Sequence, residues 1–158
     1  MSAITAFLST DHSRLDAPLS RAASDPQAYE SFRRGLLKHV GMEEMILLPG
    51  GEAPARRPLA LAAKIRLDHG ALTALMIPTP TPKILAAVRA ILELHNRLEE
   101  DPGGLYEQSE QNFGAEASKI LEALKAAPQI PPAPHVDSTQ AFASVKRALE
   151  AASYGALP

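Results

Sequence analysis

The feature that most constrains this chain is a histidine placed four residues before a glutamate within a helix-forming stretch, and it occurs twice. His39 and Glu43 lie in LLKHVGMEEMILLP, residues 36–49, and His95 and Glu99 lie in HNRLEE. Residues four apart on an α-helix share one face, so both side chains of each pair would point the same way. A buried carboxylate is costly unless something compensates its charge. Each pair taken alone is either a hydrogen-bonded core pair or a set of metal ligands.

Two further histidines repeat in matching contexts. His12 lies in DHSRLDAPL and His69 in DHGALTALM, each with aspartate before the histidine and leucine three residues after it. His69 follows His12 by 57 residues, and His95 follows His39 by 56. These separations predict two copies of one helix hairpin, which together form a bundle with approximate two-fold symmetry and indicate a metal site inside it. The predicted ligands are His12, His39, Glu43, His69, His95 and Glu99.

The number and kind of these ligands predict two ions rather than one. Each glutamate has two oxygens, so the two carboxylates can bridge a pair of five- or six-coordinate ions. Imidazole and carboxylate ligands suit iron, and also manganese or zinc. We therefore expect two bridged iron ions as the cofactor, with manganese or zinc as alternatives.

Composition narrows the expected partners and location. The 158 residues carry a formal net charge of -2 with scattered Lys and Arg, so no basic face predicts binding to nucleic acid or to a membrane surface. The chain has no cysteine, which excludes disulfides and thiolate metal sites. No apolar run approaches a membrane span, and the first residues lack the features of a signal peptide. The expected location is cytoplasmic.

Helical periodicity dominates the chain, and clusters of proline and glycine divide it. Long helices are predicted at about 4–23, 26–48, 58–77 and 82–100, and shorter ones from Leu105 and at about 114–126 and 138–153. Pro18 is expected to bend the first helix, and PGG is expected to end the second. The predicted fold class is all-α, an antiparallel up-down-up-down four-helix bundle with extra C-terminal helical segments. Residues 1–127 would form the bundle, and residues 128–158 a Pro-rich linker and an amphipathic helix packed on the bundle or on a partner.

Four motifs together resemble those of the haemerythrin-like (HHE cation-binding) family, in its bacterial branch. The likeness covers about residues 4–110, through DHSRLD, FRRGLLKHVGMEEMILLP, IRLDHGALTALM and ELHNRLEEDPGGLYE. The resemblance implies an antiparallel four-helix bundle around a non-haem di-iron centre. It also implies that Glu43 and Glu99 are bridging carboxylates. The terminal imidazole ligands that it implies are His12, His39, His69 and His95.

This sequence departs from the family pattern at three places. Leu15 stands where the bacterial motif has cysteine, and Thr73 where the oxygen-carrying members have a second histidine on the third helix. The missing imidazole argues against reversible oxygen transport and leaves redox or peroxide chemistry open. DPGG at 101–104 breaks the fourth helix just after Glu99, so Glu100 stands as a reserve ligand.

Several other polar residues lie close to the motifs. Asp16 either orients an imidazole or is a solvated aspartate near the bend. Asp11 and Asp68 project about 100° from their neighbouring histidines and are interpreted as surface groups or loose neighbours of the site. Tyr106 is interpreted as a core tyrosine at the bundle end rather than a hydrogen-bond donor to the site. His135 is interpreted as a solvent-exposed linker residue rather than a fifth imidazole.

The pattern as a whole favours a metal-binding or sensor protein over a dedicated enzyme. The expected partners are metal ions and a small diatomic ligand or peroxide, so the protein would bind or sense oxygen, peroxide or nitric oxide, or handle iron or redox stress. A homodimer stays open. The alternative is a helical interaction or signalling module in which the metal is mainly structural. A ferritin-like iron oxidase ranks last, because such bundles supply Glu-x-x-His pairs and more carboxylates.

Overall fold

The regular structure consists of helices throughout the described part of the chain. The computed structural model describes residues 1–156, and no strand occurs among them. The helices are α1 (Ala3–Arg21), α2 (Pro26–Met42), α3 (Leu48–Gly51), α4 (Ala62–Leu75), α5 (Pro82–Glu100), α6 (Leu105–Phe113), α7 (Ala117–Lys125) and α8 (Thr139–Ala151). A π-helical segment, Glu43–Leu47, joins α2 to α3, and a 3-10 turn, Gly114–Glu116, precedes α7. The all-α prediction is confirmed for residues 1–156, and the last two residues of the predicted 128–158 segment lie outside this range.

Capping side chains determine where several of these helices begin. The Asp25 carboxylate accepts hydrogen bonds from two backbone N–H groups of the first turn of α2, and Pro26 follows at the first helical position. Ser2, Thr81 and Ser138 cap α1, α5 and α8 in the same way. A side-chain oxygen at this position satisfies a backbone donor that the helix itself leaves unpaired. The predicted bounds of α5, 82–100, match the observed ones, whereas α4 begins four residues later than expected.

The second helical run continues beyond its predicted end. It passes through the π-helical segment into α3 and ends at Gly51, although PGG was expected to stop it at about residue 48. Pro49 lies inside this continuous run, two residues after the π-helical segment, and does not end it. A Cβ added to Gly51, the last residue of the helix, would approach a methyl group of Leu59 to 2.6 Å, so this glycine permits close packing. Pro18 likewise lies inside α1 without ending it.

Two apolar clusters form the core. The first cluster includes residues from α1, α2, α4, α5 and α8, among them Leu15, Phe32, Leu72, Val88 and Leu149. The second cluster includes residues from α1, the second helical run, α4, α6 and α7, among them Ile4, Leu47, Ile65, Leu105 and Leu124. Every member of either cluster is at most 9% exposed.

A layer of histidines separates the two clusters along the long helices. On α1, Leu8 of the second cluster precedes His12, and Leu15 of the first cluster follows it. α4 repeats this order around His69, and α2 and α5 have the reverse order around their own histidines. Each of these helices therefore delivers one imidazole to the same level of the core.

The C-terminal segment packs against α4. Val145 and Leu149 of α8 belong to the first cluster, and the Nζ of Lys64 on α4 donates a hydrogen bond of 2.7 Å to the carbonyl of Ala152. The preceding linker is tied to the end of α4, because the backbone N–H of Val136 donates to the carbonyl of Ile77 at 3.0 Å. Within residues 1–156, no helix has the length and apolar character needed to cross a membrane.

Candidate metal centre

The structure brings all six predicted ligands together at the level between the two clusters. They form two groups that share both carboxylates, and within each group one ligand atom per residue lies within 4.8 Å of every other. The His12–His39 group adds these two histidines to Glu43 and Glu99, and the His69–His95 group adds the other two. All six side chains are buried. These buried groups can therefore hold metal ions.

The two oxygens of each shared carboxylate face different groups. Oε1 of Glu43 lies 3.2 Å from Nε2 of His39, and its Oε2 lies 3.0 Å from Nε2 of His69. Oε2 of Glu99 lies 3.3 Å from Nε2 of His12. Ligand atoms bonded at about 2.1 Å to one ion lie about 3.0 Å apart when they subtend a right angle at it. This is the arrangement that two bridging carboxylates would have.

An unpaired oxygen provides a test of whether a cation fits here. Oε1 of Glu99 is buried and makes no hydrogen bond within residues 1–156, although it lies only 3.1 Å from Nε2 of His95. Buried polar atoms are rarely left without a partner. Once the proton is displaced from Nε2 of His95, this nitrogen and Oε1 of Glu99 each offer a lone pair, as a metal ion requires, so the donor set fits the predicted cofactor.

Each of the four imidazoles also contacts a carboxylate through its outer nitrogen. Nδ1 of His39 lies 2.9 Å from Asp11, Nδ1 of His69 lies 2.5 Å from Glu44, and Nδ1 of His95 lies 3.4 Å from Asp68. Nδ1 of His12 pairs with Glu100. A carboxylate at Nδ1 holds the proton there and leaves the Nε2 lone pair facing the centre.

These contacts decide three interpretations made from sequence. Asp11 and Asp68 are neighbours of the site and not surface groups, because each reaches the histidine of the neighbouring helix, and Asp68 is completely buried. Glu100, the reserve ligand, faces the outer nitrogen of His12, whereas Glu99 belongs to both ligand groups. Asp16 is exposed and contacts none of the histidines of the described chain.

The carboxylates strongly favour protonated imidazoles when no cation is present. Burial alone lowers the pKa of His39, but the charge of Glu43 and the hydrogen bond with Asp11 outweigh it and raise the pKa to about 10. Burial likewise opposes the charge of Glu99, and the net pKa of His95 is also about 10. The pKa of Glu43 lies well below its usual range, because His39 outweighs the effect of burial. A metal ion entering this site would displace protons.

Tyr106 is the functional residue that sequence reasoning assigned differently. It is completely buried as predicted, but its hydroxyl lies inside the centre, donating a hydrogen bond of 2.6 Å to Oε1 of Glu43 and lying 3.1 Å from Oε2 of Glu99. Burial raises the pKa of Tyr106, and the two carboxylates raise it further. Tyr106 lies seven residues after Glu99, and residues seven apart on one continuous helix share a face, so this spacing could have placed Tyr106 at the site. The DPGG sequence between them predicts the end of the helix, so the helical spacing was not continued past it.

The two other candidates do not reach the centre. Nε2 of His135 donates a hydrogen bond of 2.8 Å to Oε1 of Glu30, and its ring stacks on Tyr29 with 6.0 Å between ring centroids. His135 is therefore half-buried in the linker contact rather than exposed to solvent. The hydroxyl of Thr73 donates to the carbonyl of His69 at 2.7 Å. The missing fifth imidazole is therefore not replaced by either residue.

A comparison of the chain with protein-family models, with curated proteins and with solved structures finds no significant match. The resemblance to the haemerythrin-like family therefore stays a prediction from the motifs.

A cavity of about 360 Å³ lies between α1 and α5 and reaches His12. Its lining includes the apolar side chains of Leu15 and Phe32 and the polar side chains of Asp16 and Arg89. Asp16 is exposed at the surface, whereas His12 is 6% exposed. The cavity thus provides a route for a small molecule toward the His12–His39 group.

Proposed function

We propose that this chain is a haemerythrin-like protein that holds two metal ions, bridged by Glu43 and Glu99, in an antiparallel four-helix bundle of α1, α2, α4 and α5. Iron is the first choice of metal, with manganese and zinc as alternatives. The protein binds or senses oxygen, peroxide or nitric oxide, or handles iron or redox stress, in the cytoplasm.

One observation carries the dinuclear centre: the same two buried carboxylates belong to both ligand groups. A site for one ion would need only one such group. Burying two carboxylates this close together is costly unless cations compensate both.

The order of apolar clusters along the helices supports the bundle. α1 and α4 run from the second cluster to the first, and α2 and α5 run in the opposite direction. Alternating directions in chain order are the topology of an up-down-up-down bundle. Metal sites in such bundles lie on inward side chains of facing helices.

The residues around the centre favour reactivity over a purely structural ion. The His69–His95 group offers two imidazoles and two carboxylates, and Thr73 contributes no further nitrogen. Four ligands leave at least one position free on a five- or six-coordinate ion. Reactive metal sites keep such a position open, whereas structural sites have every position filled by the protein. Bound iron would supply electron transfer to a small oxygen or nitrogen ligand. The chain's part is to orient the imidazoles through Asp11, Glu44, Asp68 and Glu100 and to exclude bulk water.

The experiment is metal analysis of untagged protein, followed by anaerobic titration of the apoprotein with ferrous iron. We expect about two ions per chain, because each ligand group holds one ion. A Glu43→Gln variant should lose this stoichiometry, and Glu93→Gln, which changes an exposed glutamate of α5, should keep it. Failure of the wild-type apoprotein to take up any ion would overturn the proposal.

Reactivity distinguishes a functional from a structural centre. The ferrous protein is exposed separately to air, peroxide and nitric oxide, and its absorption spectrum is followed. A spectral change with any of them supports the proposed function. Metal uptake that raises the melting temperature but leaves the spectrum inert to all three would instead support a structural ion in a helical interaction module.

A further inference from the structure

The Tyr106 hydroxyl is surrounded by the ligand atoms of one group only. It lies 3.2 Å from Nε2 of His12 and 3.4 Å from Nε2 of His39, in addition to 2.6 Å from Glu43 and 3.1 Å from Glu99. These are the four residues of the His12–His39 group. The other two tyrosines of the chain pack elsewhere, Tyr29 on the ring of His135 and Tyr154 under Nζ of Lys64.

The distances match those of one further position around an ion. In an octahedral arrangement with bonds of about 2.1 Å, every ligand atom has four neighbours at about 3.0 Å. The Tyr106 oxygen has four ligand atoms at 2.6 to 3.4 Å. A tyrosine serving only as core filler would turn its hydroxyl toward one or two acceptors.

We propose that the Tyr106 oxygen is a protein ligand of the ion in the His12–His39 group, an inference that rests on the proposed dinuclear centre. On binding, the phenol O–H bond breaks, the oxygen donates an electron pair to the ion, and the proton passes to bulk water. A cation next to a phenol favours this deprotonation, as it does for other oxygen and sulfur ligands.

The ligand makes the two ions inequivalent. At the matching place seven residues after Glu43 stands Gly50, which has no oxygen-bearing side chain to offer to the His69–His95 group. Thr73 of α4 donates its hydroxyl to the carbonyl of His69 and offers no nitrogen to that group. Open coordination positions are therefore concentrated on the His69–His95 side.

The test uses full-length apoprotein that is loaded anaerobically with ferrous iron and then exposed to air. Visible absorption and resonance Raman spectra are recorded together with the iron content. The wild-type ferric protein should show a phenolate-to-iron charge-transfer band and enhanced tyrosinate ring vibrations. Tyr106→Phe should lose both and still bind iron.

Tyr29→Phe is the matched control, because Tyr29 is also fully buried, stacks on His135 rather than on a ligand, and its hydroxyl has no hydrogen-bond partner among residues 1–156. It should keep the wild-type spectrum. Iron-loaded wild type without tyrosinate vibrations, or Tyr106→Phe with unchanged vibrations, would overturn the inference and leave the dinuclear centre intact. Failure of wild type to bind iron would overturn both.

A second measurement covers the case in which Tyr106→Phe does not fold. Wild type carrying ring-deuterated tyrosine should show shifted vibrations, which identifies the ligand as a tyrosine. The chain has three tyrosines, so retention of the signal in both Tyr29→Phe and Tyr154→Phe would leave Tyr106 as its source. Loss of the signal in either variant would contradict the assignment.

Discussion

At the scale of single residues, each imidazole of the centre is held by a carboxylate from a neighbouring helix. Asp11 illustrates why spacing along one helix could not reveal this. It projects about 100° away from His12 on α1, yet from that position it meets His39 of α2. Periodicity identifies which residues share a face, and the six residues that it predicted as ligands do lie together in the structure. A contact between residues of two helices depends on how the helices pack against each other. The spacing of residues along one helix does not determine that packing.

Replacing Asp11 by Asn should weaken metal binding about 10- to 100-fold, the usual effect of removing a carboxylate that orients a histidine ligand. The measurement is a competitive titration with a chelator of known affinity. Asp16→Asn is the matched control, because Asp16 lies on the same helix, is exposed and touches no imidazole. Equal losses in both variants would show that charge on α1, rather than the contact with His39, determines the affinity.

The apoprotein should lose stability as the solution becomes alkaline. The pKa values of His39 and His95 are raised from 6.5 to about 10, so their contribution to the free energy of unfolding is fully present below pH 6.5 and lost toward pH 10. Urea denaturation of apoprotein over this range measures the loss. His39→Gln should lose less stability than the wild type over this range. An equal loss would contradict the assignment of the raised pKa to His39.

The affinity of the apoprotein for metal should change with pH in the opposite direction. It should rise with pH, because fewer protons need to be displaced.

At the scale of elements, the first residue of a helix was predictable where a capping residue and proline occur together, as at α2 and α5. The π-helical segment was not, because EEMIL consists of ordinary helix formers and has no sequence mark of a wider turn. Its consequence is functional: Glu43 enters the centre at the beginning of this segment, and Glu44 reaches His69 from the next position. Such segments frequently occur at functional sites.

The turn between α5 and α6 positions Tyr106 and should not tolerate a larger residue. A Cβ at Gly104 would lie 2.7 Å from the backbone carbonyl oxygens of Glu99 and Asp101. Gly104→Ala should therefore destabilise the protein by about 1–3 kcal/mol, as overpacking typically does. Urea denaturation measures the change. Gly70→Ala is the control, because its Cβ would meet nothing within 4 Å, and a glycine-to-alanine change inside a helix is stabilising by about 0.5–1 kcal/mol.

At the scale of the whole molecule, the C-terminal helix is part of the core and not an appended tail. Leu149 of α8 is 3% exposed and belongs to the first cluster with residues of four other helices. The amphipathic pattern of residues 138–153 predicted a helix with an apolar face, but amphipathicity alone does not say which surface covers that face. In the structure, α4 covers it.

Leu149→Ala should lower the free energy of unfolding by about 2–5 kcal/mol, because the change leaves a cavity among packed side chains. Phe142→Ala is the control on the same helix, since Phe142 is 42% exposed and surface changes usually stay within about 0.5 kcal/mol. Chemical denaturation of both variants provides the comparison. A loss for Leu149→Ala no larger than that for Phe142→Ala would mean that α8 is not part of the cooperative unit.

The shared carboxylates also determine how the two halves of the chain are joined. Glu43 belongs to the first hairpin, which contains α1 and α2, and Glu99 belongs to the second, which contains α4 and α5. Each glutamate lies beside histidines of both hairpins. With ions bound as proposed, the hairpins are cross-linked twice, in a chain that has no cysteine to form a disulfide. The two hairpins can then separate only after both ions have dissociated, so the metal centre is a reversible cross-link between the two halves of the protein.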